Sequence, residues 1–185
     1  VTGVQTCALP IYKMSNIESV VLVGHGGLPA DCPSDVVSRL KRLEMDRRRR
    51  GVPASEEENE LDRKVRDWPR TPESDPYKVG LEKLATHLAD KMPDTKIVAA
   101  YNEFCAPSIE DAVDNLVASG VKSISLISSM FTPGGSHSDK EIPEDVAELR
   151  KKYPDVNFQY AWPFDLNKIA ELMAGHLKDF NNSNS

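Results

Sequence analysis

The chain has 185 residues, of which 39% are hydrophobic and 28% are charged, a composition typical of one ordinary globular domain. Its formal net charge of −6 disfavours a general affinity for nucleic acid, and no apolar run approaches the roughly 20 residues that cross a bilayer. The three cysteines, Cys7, Cys32 and Cys105, lack the spacing of zinc ligands and are odd in number, which favours reduced thiols in a cytoplasmic protein.

The two ends of the chain are set apart from the predicted domain. Residues 1–13 lack both the basic start and the long apolar segment of a signal peptide, so we interpret them as a non-native or disordered leader. Residues 14–180 are predicted to form a single domain, and the polar residues 181–185 a disordered tail.

The first predicted strand is Val20–Val23, an apolar run of the kind that is buried on both faces of a sheet. Gly24 ends the strand, and His25 follows at its carboxyl end with two further glycines behind it. Ligands bind outside the carboxyl ends of the strands in open parallel sheets. His25 is therefore a candidate functional residue.

A helical hairpin is predicted as an insert after this strand, at about residues 33–72. Its first helix begins at Ser34 or Asp35 and ends at Arg47–Arg50, where cations suit the helix dipole. Its second helix begins with the capping box of Ser55–Glu58. The arginines are either an anion-binding patch or, as general tendencies favour, a solvated helix end that faces the acids of the second helix.

The rest of the chain alternates between helices and strands, which predicts an α/β fold whose parallel sheet has helices on both faces. The remaining strands are predicted at Lys96–Tyr101, Ser123–Ser128 and Asn157–Ala161. Right-handed crossovers then give four strands in the order 2-1-3-4, with the topological switch point between strands 1 and 3.

Two histidines follow the strands that flank this switch point. His25 follows strand 1, and His137 lies in the glycine-rich loop after strand 3. Glu103 follows strand 2 and Glu141 lies four residues beyond His137, so both are candidate acidic residues of the same crevice. Alternatively, Glu103 is a hydrogen-bond acceptor at the end of a loop and Glu141 is an acid at the start of a helix. The other two histidines fall within amphipathic helices and are interpreted as packing or surface residues: His87 and His176.

Two imidazoles and a carboxylate can bind a first-row divalent metal such as iron, cobalt or nickel. The same groups can abstract protons near neutral pH. Missing motifs argue against other chemistries, since the sequence has no Gly-x-Ser-x-Gly elbow and no P-loop, and Gly24–Gly27 lacks the dinucleotide-binding spacing.

Four segments resemble the class II tetrapyrrole chelatases, specifically the short CbiX/SirB-type sirohydrochlorin chelatases: VVLVGHGG, NEFCAPSIEDAV, ISSMFTPGGSHSDKEIPEDV and YAWPFD. The resemblance covers residues 18–30 and about 80–180. It implies a chelatase-like, flavodoxin-like fold and the insertion of Co²⁺ or Fe²⁺ into sirohydrochlorin or a related tetrapyrrole, in cobalamin or siroheme biosynthesis. The metal, for which Ni²⁺ is a further candidate, would be a substrate, and no organic cofactor is implied.

The same resemblance assigns roles to individual residues. Carried over by position, His25 and His137 would be the metal-handling pair and Glu103 their acidic partner, so these three residues would be catalytic. Glu141, the next acidic candidate in the sequence, is added to them as a fourth expected metal ligand. Ala106 stands where many relatives carry another acid.

The implied substrate is flat and polyanionic, so we expect aromatic and cationic side chains near the histidines. Arg70 and Lys140 are the expected cations, and we expect the two imidazoles to face each other over a hollow wide enough for a flat pigment. The expected substrate contacts are glycines and aromatic residues beside the site: Gly26, Gly134, Gly135, Phe131, Trp162 and Phe164.

The chain carries one copy of the motif, and short relatives pair, so a homodimer without nucleic-acid or membrane partners is expected. Two other functions stay open. One is a non-catalytic carrier of a tetrapyrrole or metal. The other is a flavodoxin-like module that binds anions through the backbone amides of its glycine loops.

Overall fold

The computed structural model describes residues 17–183, which contain a four-stranded parallel sheet in the order β2-β1-β3-β4. The strands are β1 (Ser19–Gly24), β2 (Lys96–Tyr101), β3 (Ser123–Ser128) and β4 (Asn157–Tyr160). The predicted strand order and parallel pairing are confirmed, and β4 ends one residue earlier than predicted. The interpretation of residues 1–13, including Cys7, falls outside the described residues.

Helices connect and cover these strands. They are α1 (Ser34–Arg50), α2 (Glu56–Arg66), α3 (Pro76–Lys91), α4 (Ile109–Ala118), α5 (Ile142–Lys152) and α6 (Leu166–Ser183). A π-helical turn, His137–Glu141, directly precedes α5. Because α6 continues to Ser183, residues 181–183 are helical where the sequence predicts a disordered tail, and residues 184–185 lie outside the described part.

The sheet has helices on both faces, as predicted. On one face, α4 and α5 pack against Val21 and Val23 of the central strand β1. On the other face, α3 packs against Leu22 and Tyr101. All six residues of β1 are buried, which agrees with the apolar run of Val20–Val23 at its centre. None of the helices in residues 17–183 is long and apolar enough to cross a bilayer.

The helices α1 and α2 lie where the sequence predicts the inserted hairpin. They enclose a small core that includes Leu40 and Val65, and Phe104 from the loop after β2 packs against it. Arg47 ties the helices together, since its Nε donates to Oε1 of Glu58 at 2.6 Å and the Glu58 side chain is only 6% exposed. The hairpin is thereby held against the carboxyl edge of the sheet.

Candidate functional site

Three side chains meet at the carboxyl edge of the sheet. His25 directly follows β1, Glu103 lies two residues beyond β2, and His137 opens the π-helical turn after β3. One possible ligand atom from each residue lies within 4.8 Å of the other two. The structure thus brings together both histidines and the carboxylate that the sequence places after neighbouring strands.

The imidazoles of His25 and His137 are in direct contact. Their ring centroids are 4.8 Å apart, and the ring planes are inclined at 85°, edge against face. A flat macrocycle between two rings needs roughly 7 Å, because each contact takes about 3.5 Å. The expectation of a hollow between the imidazoles is therefore wrong, and the rings instead present nitrogen atoms to one shared position.

His25 is oriented by its immediate surroundings. Its backbone N–H donates to the hydroxyl of Tyr77 at 2.8 Å, and its ring Nδ1 lies 2.7 Å from the carbonyl oxygen of Gly26. A carbonyl can only accept a hydrogen bond, so Nδ1 carries the proton. Nε2 is then unprotonated and has a free lone pair. It lies 3.9 Å from Oε2 of Glu103.

His137 is oriented by a carboxylate. Its Nδ1 lies 2.8 Å from Oε2 of Glu141, and the Asn102 amide donates to the same oxygen at 3.0 Å. The Asn102 amide nitrogen also lies 2.9 Å from Nδ1 of His137, but an ionised Glu141 can only accept and takes a hydrogen bond from both groups, so Nδ1 carries the proton and Nε2 is free to bind a cation. Both imidazoles are therefore in the tautomer with the proton on Nδ1, which leaves Nε2 available as a metal ligand.

Glu141 supports His137 from the side of the ring away from the free nitrogen. Glu141, predicted as a further ligand, contributes no atom to the group of three possible ligand atoms, and its contact with Nδ1 gives it a role in positioning the ring of His137. Burial raises its pKa, but hydrogen bonds from His137 and Asn102 outweigh that effect and hold the pKa of Glu141 below its ordinary value. An ionised carboxylate here fixes the imidazole and increases its basicity.

We expect Glu141→Ala to raise the dissociation constant for Co²⁺ by about 10- to 100-fold, because His137 loses the group that sets its tautomer. A metal titration of the purified variant measures this change. Glu144→Ala is the matched control, since it removes an exposed carboxylate from the next helix without touching His137. Equal affinities in the two variants would contradict the positioning role.

The backbones that carry His25 and Glu103 run against each other. The N–H of Glu103 donates to the carbonyl of His25 at 2.8 Å, and the N–H of Asn102 donates to Gly24 at 2.9 Å. Gly26 has a φ of +94°, and a Cβ there would lie 1.8 Å from the carbonyl oxygen of Glu103. Gly26, which is also an expected substrate contact, is thus a point of close approach between the two loops.

Arg70 has a different place from the one expected. Its side chain is 7% exposed and forms an ion pair with Asp75, so it is not the solvent-facing cation that the sequence analysis assigned to the substrate. The guanidinium also donates to the carbonyls of Gly27, at 2.9 Å, and Phe104. Arg70 therefore joins the two site loops, whereas Lys140 is exposed on the π-helical turn.

The expected aromatic residues form a half-buried cluster near the His137 loop. The Phe164 ring contacts Phe131 at a centroid distance of 5.3 Å and Trp162 at 5.9 Å, both edge to face. Trp162 also stacks on Tyr160 at 6.1 Å. The cluster lies after β3 and β4, and the rings contact one another.

The glycine loop before His137 is already engaged with a carboxylate. The N–H of Gly134, whose φ is +98°, donates to Oδ2 of Asp139 at 2.7 Å, and the other oxygen of Asp139 accepts from Trp162 at 2.8 Å. Gly135 is exposed, with open space where a side chain would be. An aspartate on this amide disfavours a phosphate there and argues against the anion-binding module.

Three polar residues of the site escaped the sequence analysis. Asn102 was visible as a short amide directly after β2, beside Glu103. Arg66 of α2 donates to the carbonyls of Asn102 and Cys105, at 2.9 and 3.2 Å, and thereby braces the loop that contains Ala106. Arg48 ion-pairs with Glu103 at 3.3 Å. Nothing in a run of four arginines singles it out.

The sequence profile of the CbiX family matches residues 74–179, which is more than half of the chain. The chain belongs to the CbiX family. The resemblance noted in its sequence is thereby confirmed. The part of this CbiX-family chain that matches starts after the hairpin, so it includes Glu103 and His137 but not His25.

A sirohydrochlorin cobaltochelatase from Priestia megaterium is 30% identical to this CbiX-family chain over 106 residues. The alignment covers 57% of the chain and 34% of that protein, so the chain spans about a third of its curated relative. A solved structure from Marinobacter aquaeolei VT8, described as a CbiX protein of cobalamin biosynthesis, has the same fold with a TM-score of 0.54 at 17% identity. That match covers 91% of this chain and 99% of the other.

Proposed function

We propose that the chain inserts a divalent metal, Co²⁺ or Fe²⁺, into sirohydrochlorin or a closely related tetrapyrrole. The observation that carries the proposal is the cluster of His25, Glu103 and His137, whose possible ligand atoms lie within 4.8 Å of one another. The family supports the same reaction, because the Priestia megaterium relative is named for cobalt chelation into sirohydrochlorin.

The donor set suits a site that has to give its metal away. Imidazole and carboxylate bind first-row divalent ions, while thiolates hold them more tightly. Cys32 and Cys105 are buried, and desolvation raises the pKa of both thiols, so they stay protonated and do not compete for the ion. Metal on the cluster can therefore pass to a macrocycle with four inward-facing nitrogens.

The same side chains can take up the protons that the reaction releases. Insertion of a divalent ion displaces two pyrrole N–H protons, and both imidazoles have an unprotonated Nε2 once the metal has left. The carboxylate of Glu141 lies 2.8 Å from Nδ1 of His137, so it stays beside the ring when Nε2 takes up a proton. The two histidines thus act first as ligands and then as bases, with Glu103 as the third ligand.

The macrocycle would approach the cluster from outside the carboxyl edge of the sheet. A cavity of about 370 Å³ lies on the Glu141 side of His137, lined in part by Arg48, Asn102 and Glu141. Phe131 and Trp162 remain proposed contacts for the flat face of the substrate, because both rings are half-buried near the His137 loop. We expect the tetrapyrrole to bind beside the imidazoles, since the 4.8 Å between their centroids leaves no room for it between them.

Metallation of sirohydrochlorin tests the proposal directly. Purified protein mixed with sirohydrochlorin and either Co²⁺ or Fe²⁺ under anaerobic conditions should change the absorbance spectrum faster than the uncatalysed mixture. The ratio of kcat/KM for the two metals, with Ni²⁺ as a third, identifies the physiological ion. Tight stoichiometric binding of the tetrapyrrole or the metal, without any acceleration of metallation, would contradict the proposed enzymatic activity and show that the protein is a carrier.

We also propose that the chain forms a homodimer. In α6 none of the described side chains is buried, and five large apolar ones are well exposed: Leu166, Leu172, Met173, Leu177 and Phe180. An apolar helix face of this kind is commonly covered by a partner. Light scattering at working concentration should give twice the mass of one chain, and the mass of a single chain would contradict the dimer.

A further inference from the structure

The four arginines at the end of α1 have different contacts. Arg47 donates to Glu58 of α2 at 2.6 Å. Arg49 and Arg50 turn back to their own helix, where they contact the carboxylate and the carbonyl of Asp46 at 3.3 and 3.4 Å. The contact of Arg47 anchors the hairpin, and those of Arg49 and Arg50 lie at the end of their own helix. Arg48 is the remaining arginine, and it contacts a different element.

Arg48 reaches the metal-ligand cluster. Its Nη2 lies 3.3 Å from Oε1 of Glu103, while Oε2 of the same carboxylate lies 3.9 Å from Nε2 of His25. One carboxylate therefore lies between a permanent cation and the proposed metal position. The Glu103 side chain is 18% exposed and that of Arg48 is 55% exposed, so the carboxylate is fixed while the guanidinium can leave it.

The surroundings of this ion pair allow such movement. A cavity of about 320 Å³ lies beside it, lined in part by Arg48, Glu103 and Phe104. Glu44 lines the same space, and burial together with the charge of Glu103 raises the pKa of Glu44. Lys41, the other cation that lines this cavity, lies 5.8 Å from the Phe104 ring centroid. Arg48 is thus the cation that directly neutralises Glu103.

We infer that Arg48 is a counter-ion that competes with the divalent metal for Glu103 and so keeps bound metal easy to release. The inference rests on the proposed metal site. A guanidinium and a divalent cation on the two oxygens of one carboxylate repel each other, and each lowers the affinity of the other. The hairpin, which lies outside the segment matched to the family, would thereby set how tightly the site holds its ion.

Titration of the protein with Co²⁺ alone, in low salt and without tetrapyrrole, tests this inference. Arg48→Gln should lower the dissociation constant on the order of three- to tenfold, because one positive charge several ångströms from the ion is removed. The same variant should release Co²⁺ to a chelator more slowly by a similar factor. Both effects should shrink as salt is added, since the pair is exposed to solvent.

Two further variants separate the effect of position from that of charge. Arg49→Gln removes the same charge from the same helix at a residue that contacts Asp46, so its Co²⁺ affinity should equal that of the wild type. Arg48→Lys keeps the charge and should restore most of the wild-type affinity. An unchanged or weaker affinity in Arg48→Gln, or an equal gain in Arg49→Gln, would overturn the inference and leave the metal site standing. Failure of the wild-type protein to bind Co²⁺ would instead overturn the proposed function.

Discussion

Alanine in place of either His25 or His137 is expected to weaken Co²⁺ binding on the order of 100-fold or more and to stop metal insertion. Each substitution removes one of three grouped ligand atoms, and a site with one imidazole and one carboxylate cannot hold the ion in a defined position. Loss of a ligand should exceed the 10- to 100-fold typical of losing a group that only supports one. Metal titration and the metallation rate measure the two effects separately.

His87→Ala is the matched control for these variants. Its side chain is 77% exposed on α3, so the substitution removes an imidazole of no expected consequence for metal binding. In the double variant of His25 and His137 the free energy of unfolding should fall by no more than about 1 kcal/mol, because both rings are partly solvent-exposed. Wild-type metallation by the double variant would refute the assignment of the site.

Gly26→Ala is expected to destabilise the fold by about 3 kcal/mol or more and to abolish metal binding. The new Cβ would lie 1.8 Å from the carbonyl oxygen of Glu103, so the loops that carry His25 and Glu103 would have to separate. The backbone of Gly26 also has a φ of +94°, which is unfavourable for alanine. Denaturant unfolding gives the stability, and Co²⁺ titration gives the effect on the site.

Gly134→Ala separates the clash from the backbone strain. Gly134 has a nearly identical φ of +98°, but no atom lies within 4 Å of the position that its Cβ would take. We therefore expect a loss of only about 1 kcal/mol in that variant. Equal stability of the two alanine variants would show that the close approach of the two loops at Gly26 does not constrain the residue there.

The strand order and the meeting of the two histidines were predictable because they follow from topology. An apolar run such as that of β1 has to be central and buried, and right-handed crossovers then leave one simple order for the strands. Residues directly after neighbouring parallel strands share one edge of the sheet. His25, Glu103 and His137 could therefore be grouped before any coordinates were known.

The roles of side chains that contact one another could not be read in the same way. Glu141 lies four residues from His137, and that spacing indicates a contact on a helix but not which ring nitrogen is involved. Arg70 and Arg48 both lie in the segment between β1 and β2, and the sequence does not distinguish their roles. Arg70 is buried in an ion pair with Asp75, whereas Arg48 is half-exposed and reaches Glu103, 55 residues along the chain.

The gap between the imidazoles was mispredicted for a related reason. The sequence shows that both rings reach one edge of the sheet, but their separation depends on the π-helical turn His137–Glu141 and on the close approach at Gly26. Those features bring the ring centroids to 4.8 Å. The proposed substrate is therefore expected beside the pair of rings.

A crystal of the protein soaked with Co²⁺ and measured at the cobalt absorption edge tests the central claim most directly. The account predicts one strong anomalous peak at roughly 2.0–2.2 Å from Nε2 of His25, Nε2 of His137 and Oε2 of Glu103. A cobalt ion bound through Nδ1 of either ring would contradict the account. So would a fully occupied cobalt site elsewhere in the protein with no peak beside these three residues.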